Sequence, residues 1–80
     1  MRLPRDLIGA ELIRRLEKFG YRKTRQTGSH VRLTCDEPST HLVTVPLHDP
    51  LRIGTLAAIL GDVATAKGID REELLQKLFD

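Results

Sequence analysis

The sequence is poor in cysteine and in aromatic residues, which narrows the kinds of protein it can encode. Among its 80 residues there are one cysteine, two phenylalanines and one tyrosine, and tryptophan is absent. A single cysteine cannot form an internal disulfide, so we expect Cys35 to be a buried apolar residue in a reducing compartment. Three aromatic rings are too few for a platform on which the bases of a single-stranded nucleic acid stack.

Neither a membrane span nor a secretory signal is visible. No apolar stretch approaches the roughly 20 residues of a transmembrane helix, and residues 1–6 lack the apolar core of a signal peptide. Together with a charged fraction of 30% and an apolar fraction of 40%, this favours a cytoplasmic globular protein without membrane partners. The length predicts a single domain over residues 1–80, with no room for a separate cofactor domain.

The charged residues are distributed unevenly along the chain. Residues 1–34 carry nine Lys and Arg against three acids, a balance of +6, whereas residues 35–80 carry four against eight, a balance of −4. A basic half of this kind is typical of a surface that meets a polyanion. The alternative interpretation is a solvated basic helix face followed by an acidic one.

Hydrophobic periodicity predicts three helices and three strands. Gly20 is expected to end the first helix as a left-handed cap, and Asp70 with Glu73 has the spacing of a capping box before the last. The order α-β-β-β-α-α predicts an α+β fold, in which helices cover one face of a three-stranded antiparallel sheet. The predicted elements are helix 9–19, strand 21–26, strand 30–35, strand 43–48, a helix around 56–63 and a short helix 74–79.

The alternation along the second and third strands places two of the three histidines on the uncovered face of this sheet. Antiparallel pairing sets His30 opposite Thr44 or Pro46, and His48 lies two to four residues beyond that point. Two residues along a strand span about 7 Å, so the two histidines are predicted to share a site if the strand continues that far. His41, near a turn, is expected to be a solvated polar residue.

Histidine chemistry suits RNA as a substrate. Histidine both accepts and donates protons near neutral pH, RNA carries its own nucleophile in the 2′-hydroxyl group, and a basic surface stabilises charge on phosphate. His30 is therefore a candidate catalytic residue of an RNA-cleaving enzyme that requires no cofactor or metal. The alternative is that a histidine on a strand is simply a solvated polar residue.

Candidates for a second catalytic or RNA-contacting role are His48, Arg32, Ser29 and Gly28, and the candidate RNA-binding residues are Arg14, Arg15, Lys18, Arg22, Lys23 and Arg25.

Four segments occur in an order and spacing that resemble a known family. They are Leu12-Ile13 through Leu16-Glu17-Lys18-Phe19-Gly20-Tyr21, then Gly28-Ser29-His30, then Val43-Thr44-Val45-Pro46 with His48, and Gly54-Thr55-Leu56 with Ile59-Leu60. Over nearly the whole chain they resemble the HicA family of bacterial mRNA-interferase toxins. The resemblance implies a fold like that of double-stranded-RNA-binding domains, here with an extra short C-terminal helix. It also implies an RNA-cleaving toxin whose catalytic histidine is His30, with mRNA as substrate and a HicB-type antitoxin that masks the site.

Two other functions fit the sequence less well. A non-catalytic RNA-binding module on the same fold would need the basic face without His30, but its last main helix would be expected to open with lysines rather than with Gly54-Thr55-Leu56. A DNA-binding helix-turn-helix over 56–78 is disfavoured because that segment is net acidic. The resemblance assigns any contact with DNA to the antitoxin.

Overall fold

The computed structural model describes residues 3–79, which form three helices and one three-stranded sheet. The sheet has the strand order β1-β2-β3, and both neighbouring pairs are antiparallel. The predicted α-β-β-β-α-α order and α+β class are confirmed, and the arrangement is consistent with a fold like that of double-stranded-RNA-binding domains. The elements are α1 (Gly9–Lys18), β1 (Arg22–Thr27), β2 (His30–Cys35), β3 (His41–Pro46), α2 (Ile53–Lys67) and α3 (Arg71–Phe79).

One hydrophobic core joins the helices to one face of the sheet. Alternate residues of β2 and β3 are buried in it, and the residues between them are mostly exposed, so the other face of the sheet is open. Each fully buried leucine contributes about 2 kcal/mol relative to an exposed one. The core side chains from the sheet are Val31, Leu33, Cys35, Val43 and Val45, and they pack with Leu12, Leu16, Leu56, Leu60, Val63, Leu74 and Leu78 of the helices.

The helix ends agree with the local signals in the sequence. Gly20 follows α1 with a φ of +104°, and its N–H donates a hydrogen bond of 3.2 Å to the carbonyl oxygen of Glu17. Before α3, the Glu73 N–H donates to Asp70 Oδ1 at 2.8 Å. Both predicted stop and start signals are therefore confirmed.

The C-terminal helix α3 is an integral part of this core. Leu74 and Leu78 are buried, and two arginines tie the helix to its neighbours. Arg15 Nη1 donates to the carbonyl oxygen of Leu78 at 2.8 Å, and Arg71 Nη2 donates to that of Ala57 at 2.6 Å. Within residues 3–79, no helix is both long and apolar enough to cross a membrane.

The third strand ends at a proline, as predicted, two residues before the alternation of its sequence reaches His48. It stops at Pro46, because proline lacks the N–H that would continue the ladder. One further backbone hydrogen bond follows, from the Leu47 N–H to the Ser29 carbonyl oxygen at 2.6 Å. His48 therefore lies beyond the strand, where the alternation of the sheet no longer determines the direction of its side chain.

Candidate functional site

His30 is the first residue of β2 and lies at one corner of the open face. Its cross-strand neighbours are Thr27 on β1 and Pro46 on β3, which confirms one of the two predicted pairings. The residue is exposed, and its side chain has no hydrogen bond or ion pair with any residue in the part of the chain described. Both ring nitrogens are therefore available to a ligand.

The backbone around His30 is held by two successive contacts. The Leu47 N–H bonds to the Ser29 carbonyl oxygen, and the Gly9 N–H donates to the carbonyl oxygen of His48 at 2.9 Å. Gly9 lies so close to Pro46 that a Cβ atom at position 9 would collide with the Pro46 carbonyl oxygen. The N-terminus of α1 therefore positions segment 46–48, and this segment positions the turn that precedes His30.

Arg32 lies on the same face as His30, two residues farther along β2. Its cross-strand neighbours are Arg25 on β1 and Thr44 on β3. Both arginines are exposed, and neither has an ion pair within residues 3–79. The two arginines therefore concentrate positive charge beside His30. Like charges directly opposite each other also destabilise a sheet.

The three strands contain no acidic residue, while β1 and β2 together carry four cations: Arg22, Lys23, Arg25 and Arg32. Arg22 is partly neutralised, because its Nη1 donates to Asp36 Oδ2 at 2.8 Å. The bond from Arg22 holds the pKa of Asp36 below its ordinary value, with a second bond from Thr40 adding to the effect. Arg22 is opposite Thr34, at the far end of the sheet from His30, so its pairing with Asp36 does not neutralise the cations near His30.

The cations of α1 form a separate group on the helical side of the sheet. Glu11 accepts hydrogen bonds from Arg14, which lower the pKa of the Glu11 carboxyl. Arg15 Nε lies 2.9 Å from Glu11 Oε2 without the geometry of a hydrogen bond, and the Arg15 guanidinium lies 5.0 Å from the ring of Phe79. Arg14, Arg15 and Lys18 line a groove with Phe19, Lys77 and Leu78.

The structure thus divides the predicted site residues between two layers. His30, Ser29, Gly28, Arg32 and Arg25 lie on the open sheet or on the turn that enters it. Lys23 is opposite the core residue Leu33, so it faces the helical side from the exposed edge of the sheet. His48 is exposed beyond β3, and its backbone is bonded to α1.

Sequence reasoning did not connect Gly9 with this site, and it named Thr44 only as a possible neighbour of His30. The predicted pairing of His30 with Pro46, continued by two residues along β2, places Thr44 opposite Arg32, where the structure has it. Gly9 gave no comparable signal, since its role depends on contact with a segment almost forty positions away. Residues 3–79 contain no group of three or more His, Cys, Asp or Glu that could hold a metal ion.

Comparison with known proteins identifies one family. The family model described as HicA toxin of bacterial toxin-antitoxin matches residues 9–64, a range that includes α1, the entire sheet, His30 and most of α2. Among curated proteins and solved structures, no match to the chain is found. The match spans more than half of the sequence and confirms the resemblance seen in its motifs: the chain belongs to the HicA toxin family of bacterial toxin–antitoxin systems.

Proposed function

We propose that this toxin is an endoribonuclease, an mRNA interferase that cleaves RNA without a metal ion or cofactor. The observation that carries the proposal is the exposed His30, whose side chain has no partner among residues 3–79, at the corner of a sheet face that has cations but no acids on its strands. Phosphate is attracted to such a face, and an imidazole with both nitrogens free is available for proton transfer.

In the proposed reaction, His30 acts as the general base. It takes the proton of a 2′-hydroxyl group, whose oxygen attacks the adjacent phosphorus while the bond from phosphorus to the 5′-oxygen breaks. The cations of the same face, Arg32 among them, contribute a positive potential that stabilises the negative charge accumulating on the phosphate oxygens. The leaving 5′-oxygen takes a proton from His48 or from water. The products are a 2′,3′-cyclic phosphate and a 5′-hydroxyl.

The experiment is cleavage of a defined RNA by the purified protein in the presence of EDTA. We expect cleavage to continue in the chelator and to yield 2′,3′-cyclic phosphate ends, because the proposed reaction uses a histidine base and the 2′-hydroxyl group of the RNA rather than a metal ion. Cleavage that stops when divalent ions are removed would contradict the proposed chemistry. Tight RNA binding with no cleavage would instead favour the non-catalytic RNA-binding module.

We also propose that a HicB-type antitoxin inhibits the protein in the cytoplasm by covering His30. A free nuclease of this kind degrades the messages of its own cell, so the toxin requires an inhibitor. The open face offers the exposed Leu42 and the cations around Arg32, which suit a partner with an apolar contact and an acidic group.

A growth assay tests whether the proposed partner inhibits the toxin. Expression of the toxin alone is expected to arrest growth, and co-expression of the protein encoded by the neighbouring reading frame is expected to restore it. His30→Ala is the matched control, because this variant should be harmless with or without the partner. If both proteins are produced in folded form and growth is not restored, the proposed partner is wrong.

A further inference from the structure

An irregularity in β1 determines where Arg25 points. Upstream of it, Lys23 is opposite Leu33; downstream, Arg25 is opposite Arg32, so Thr24 is the extra residue of a β-bulge. Because side chains alternate between the faces of a sheet, one extra residue reverses the faces of everything that follows. Without the bulge, Arg25 would stand opposite the core residue Val31 and face the helices. With it, Arg25 shares the open face with Arg32.

The bulge is held by side chains on that same face. Thr24 Oγ1 and Thr34 Oγ1 share a hydrogen bond of 2.9 Å, and Thr34 is only 7% exposed. A partly buried hydroxyl pair therefore fixes the extra residue in place, and the direction of Arg25 is a feature of the ordered sheet.

The resulting Arg25–Arg32 pair is unfavourable unless an anion binds to it. Like charges opposite each other on a sheet repel, and neither guanidinium has an acidic partner within residues 3–79. Two guanidinium groups on adjacent strands can instead direct several N–H donors at one phosphate. No strand contains Phe, Tyr or Trp, so this row is suited to contact the nucleic-acid backbone rather than to stack on bases.

The position of the pair relates it to the reaction. Arg32 is two residues from His30 along β2, which is about 7 Å and close to the separation of successive phosphates in an extended RNA strand. We propose that Arg25 and Arg32 form a phosphate subsite for the nucleotide next to the cleaved bond. The inference rests on the proposed function and deepens it: the preferred substrate is an extended single strand with a charged phosphate adjacent to the scissile one.

The subsite is tested with oligonucleotides that contain one ribonucleotide in an otherwise 2′-O-methyl chain, so that only one bond can be cleaved. Each phosphate adjacent to that bond is replaced in turn by an uncharged methylphosphonate. For the wild-type protein, one of these replacements is expected to lower kcat/KM about tenfold or more, because a charged hydrogen bond is lost. For Arg25→Gln/Arg32→Gln, the same replacement is expected to change kcat/KM by less than about twofold.

Two controls isolate the effect. Lys77→Gln removes one positive charge from α3, on the helical side, and should retain the full methylphosphonate penalty. A methylphosphonate placed three phosphates away should have little effect on any variant. A penalty that persists unchanged in the double variant would overturn the proposed subsite.

A binding experiment separates this inference from the proposed function. The same replacements are made in an all-deoxy oligonucleotide, which has no 2′-hydroxyl nucleophile, and its affinity is measured. Loss of affinity in wild-type protein but not in Arg25→Gln/Arg32→Gln supports the subsite, even if the wild-type protein cleaves no RNA and the proposed function fails. Equal loss in both proteins overturns the subsite, even if RNA is cleaved.

Discussion

At the scale of single residues, the core residue Tyr21 makes a polar contact with the half-buried His41. His41 Nδ1 lies 2.8 Å from the Ser39 carbonyl oxygen, which can only accept, so Nδ1 carries the proton of the neutral ring. Nε2 then accepts a hydrogen bond from the Tyr21 hydroxyl at 2.6 Å. Tyr21 is only 3% exposed, and desolvation, with a smaller contribution from Cys35, raises the pKa of its hydroxyl to about 12.

This raised pKa predicts a loss of stability at alkaline pH. Tyrosine in the unfolded chain titrates near 10, so below that pH both states keep the proton and Tyr21 adds no pH dependence. Between about pH 10 and 12 the folded state binds more protons, and the free energy of unfolding should fall by about 2 kcal/mol. Urea unfolding measured across this range checks the prediction.

Tyr21→Phe is the matched control for the fall in the free energy of unfolding at alkaline pH. This variant should lack the part of the alkaline fall that Tyr21 contributes. Its free energy of unfolding at neutral pH should be lower by about 1 kcal/mol, because His41 loses its hydrogen-bond donor. An alkaline decline equally steep in Tyr21→Phe and in the wild-type protein would contradict this account.

His30 and His41 show what a sequence can predict about a residue. The face of His30 followed from the two-residue period of a strand and is confirmed by its pairing with Pro46. The prediction that His41 is a solvated polar residue is wrong, because it is half-buried against a tyrosine twenty positions earlier. Contacts between distant segments leave no periodic signal, whereas the direction of a strand residue does.

At the scale of elements, the contact between the start of α1 and the end of β3 controls the surroundings of His30. Gly9→Ala places a methyl group against the Pro46 carbonyl oxygen, so segment 46–48 must move. We expect this variant to lose protection of the Leu47 amide against hydrogen exchange and to cleave RNA more slowly, while the core remains folded.

Gly54→Ala is the comparison for this prediction. Gly54 lies within α2 with open space around it, so alanine should fit and stabilise the helix by up to about 1 kcal/mol. Introducing Gly9→Ala into the Gly54→Ala background offsets any general loss of stability. If Gly9→Ala and Gly54→Ala have the same exchange protection at Leu47 and the same cleavage rate, α1 does not position this segment.

Element types were predictable, and their irregularities were not. Alternation in residues 30–35 and helical spacing in residues 9–19 were strong enough to predict both elements within one residue of their observed bounds. The bulge at Thr24 escaped prediction because β1 is exposed along its entire length. Without alternating burial, a sequence gives no sign that its register changes.

At the scale of the whole molecule, charge is separated between two faces rather than simply between two halves of the chain. The basic residues of the first half divide between α1, where Glu11 pairs with two arginines, and the open sheet, where Arg25 and Arg32 have no acidic partner among the described residues 3–79. The excess of +6 was visible in the sequence. How this excess divides between the helices and the sheet was not visible in the sequence, because that division depends on tertiary packing. The open face is therefore the surface on which the proposed activity depends.

The central claim is that His30 on this face carries RNA cleavage, and it is tested most directly by comparing His30→Ala with the wild-type protein. Loss of a general base should lower the cleavage rate by about a hundredfold or more. Because His30 is exposed and without a side-chain partner within residues 3–79, the free energy of unfolding should change by no more than about 0.5 kcal/mol. A folded His30→Ala protein that cleaves the same RNA at a rate close to that of the wild-type protein would contradict the account.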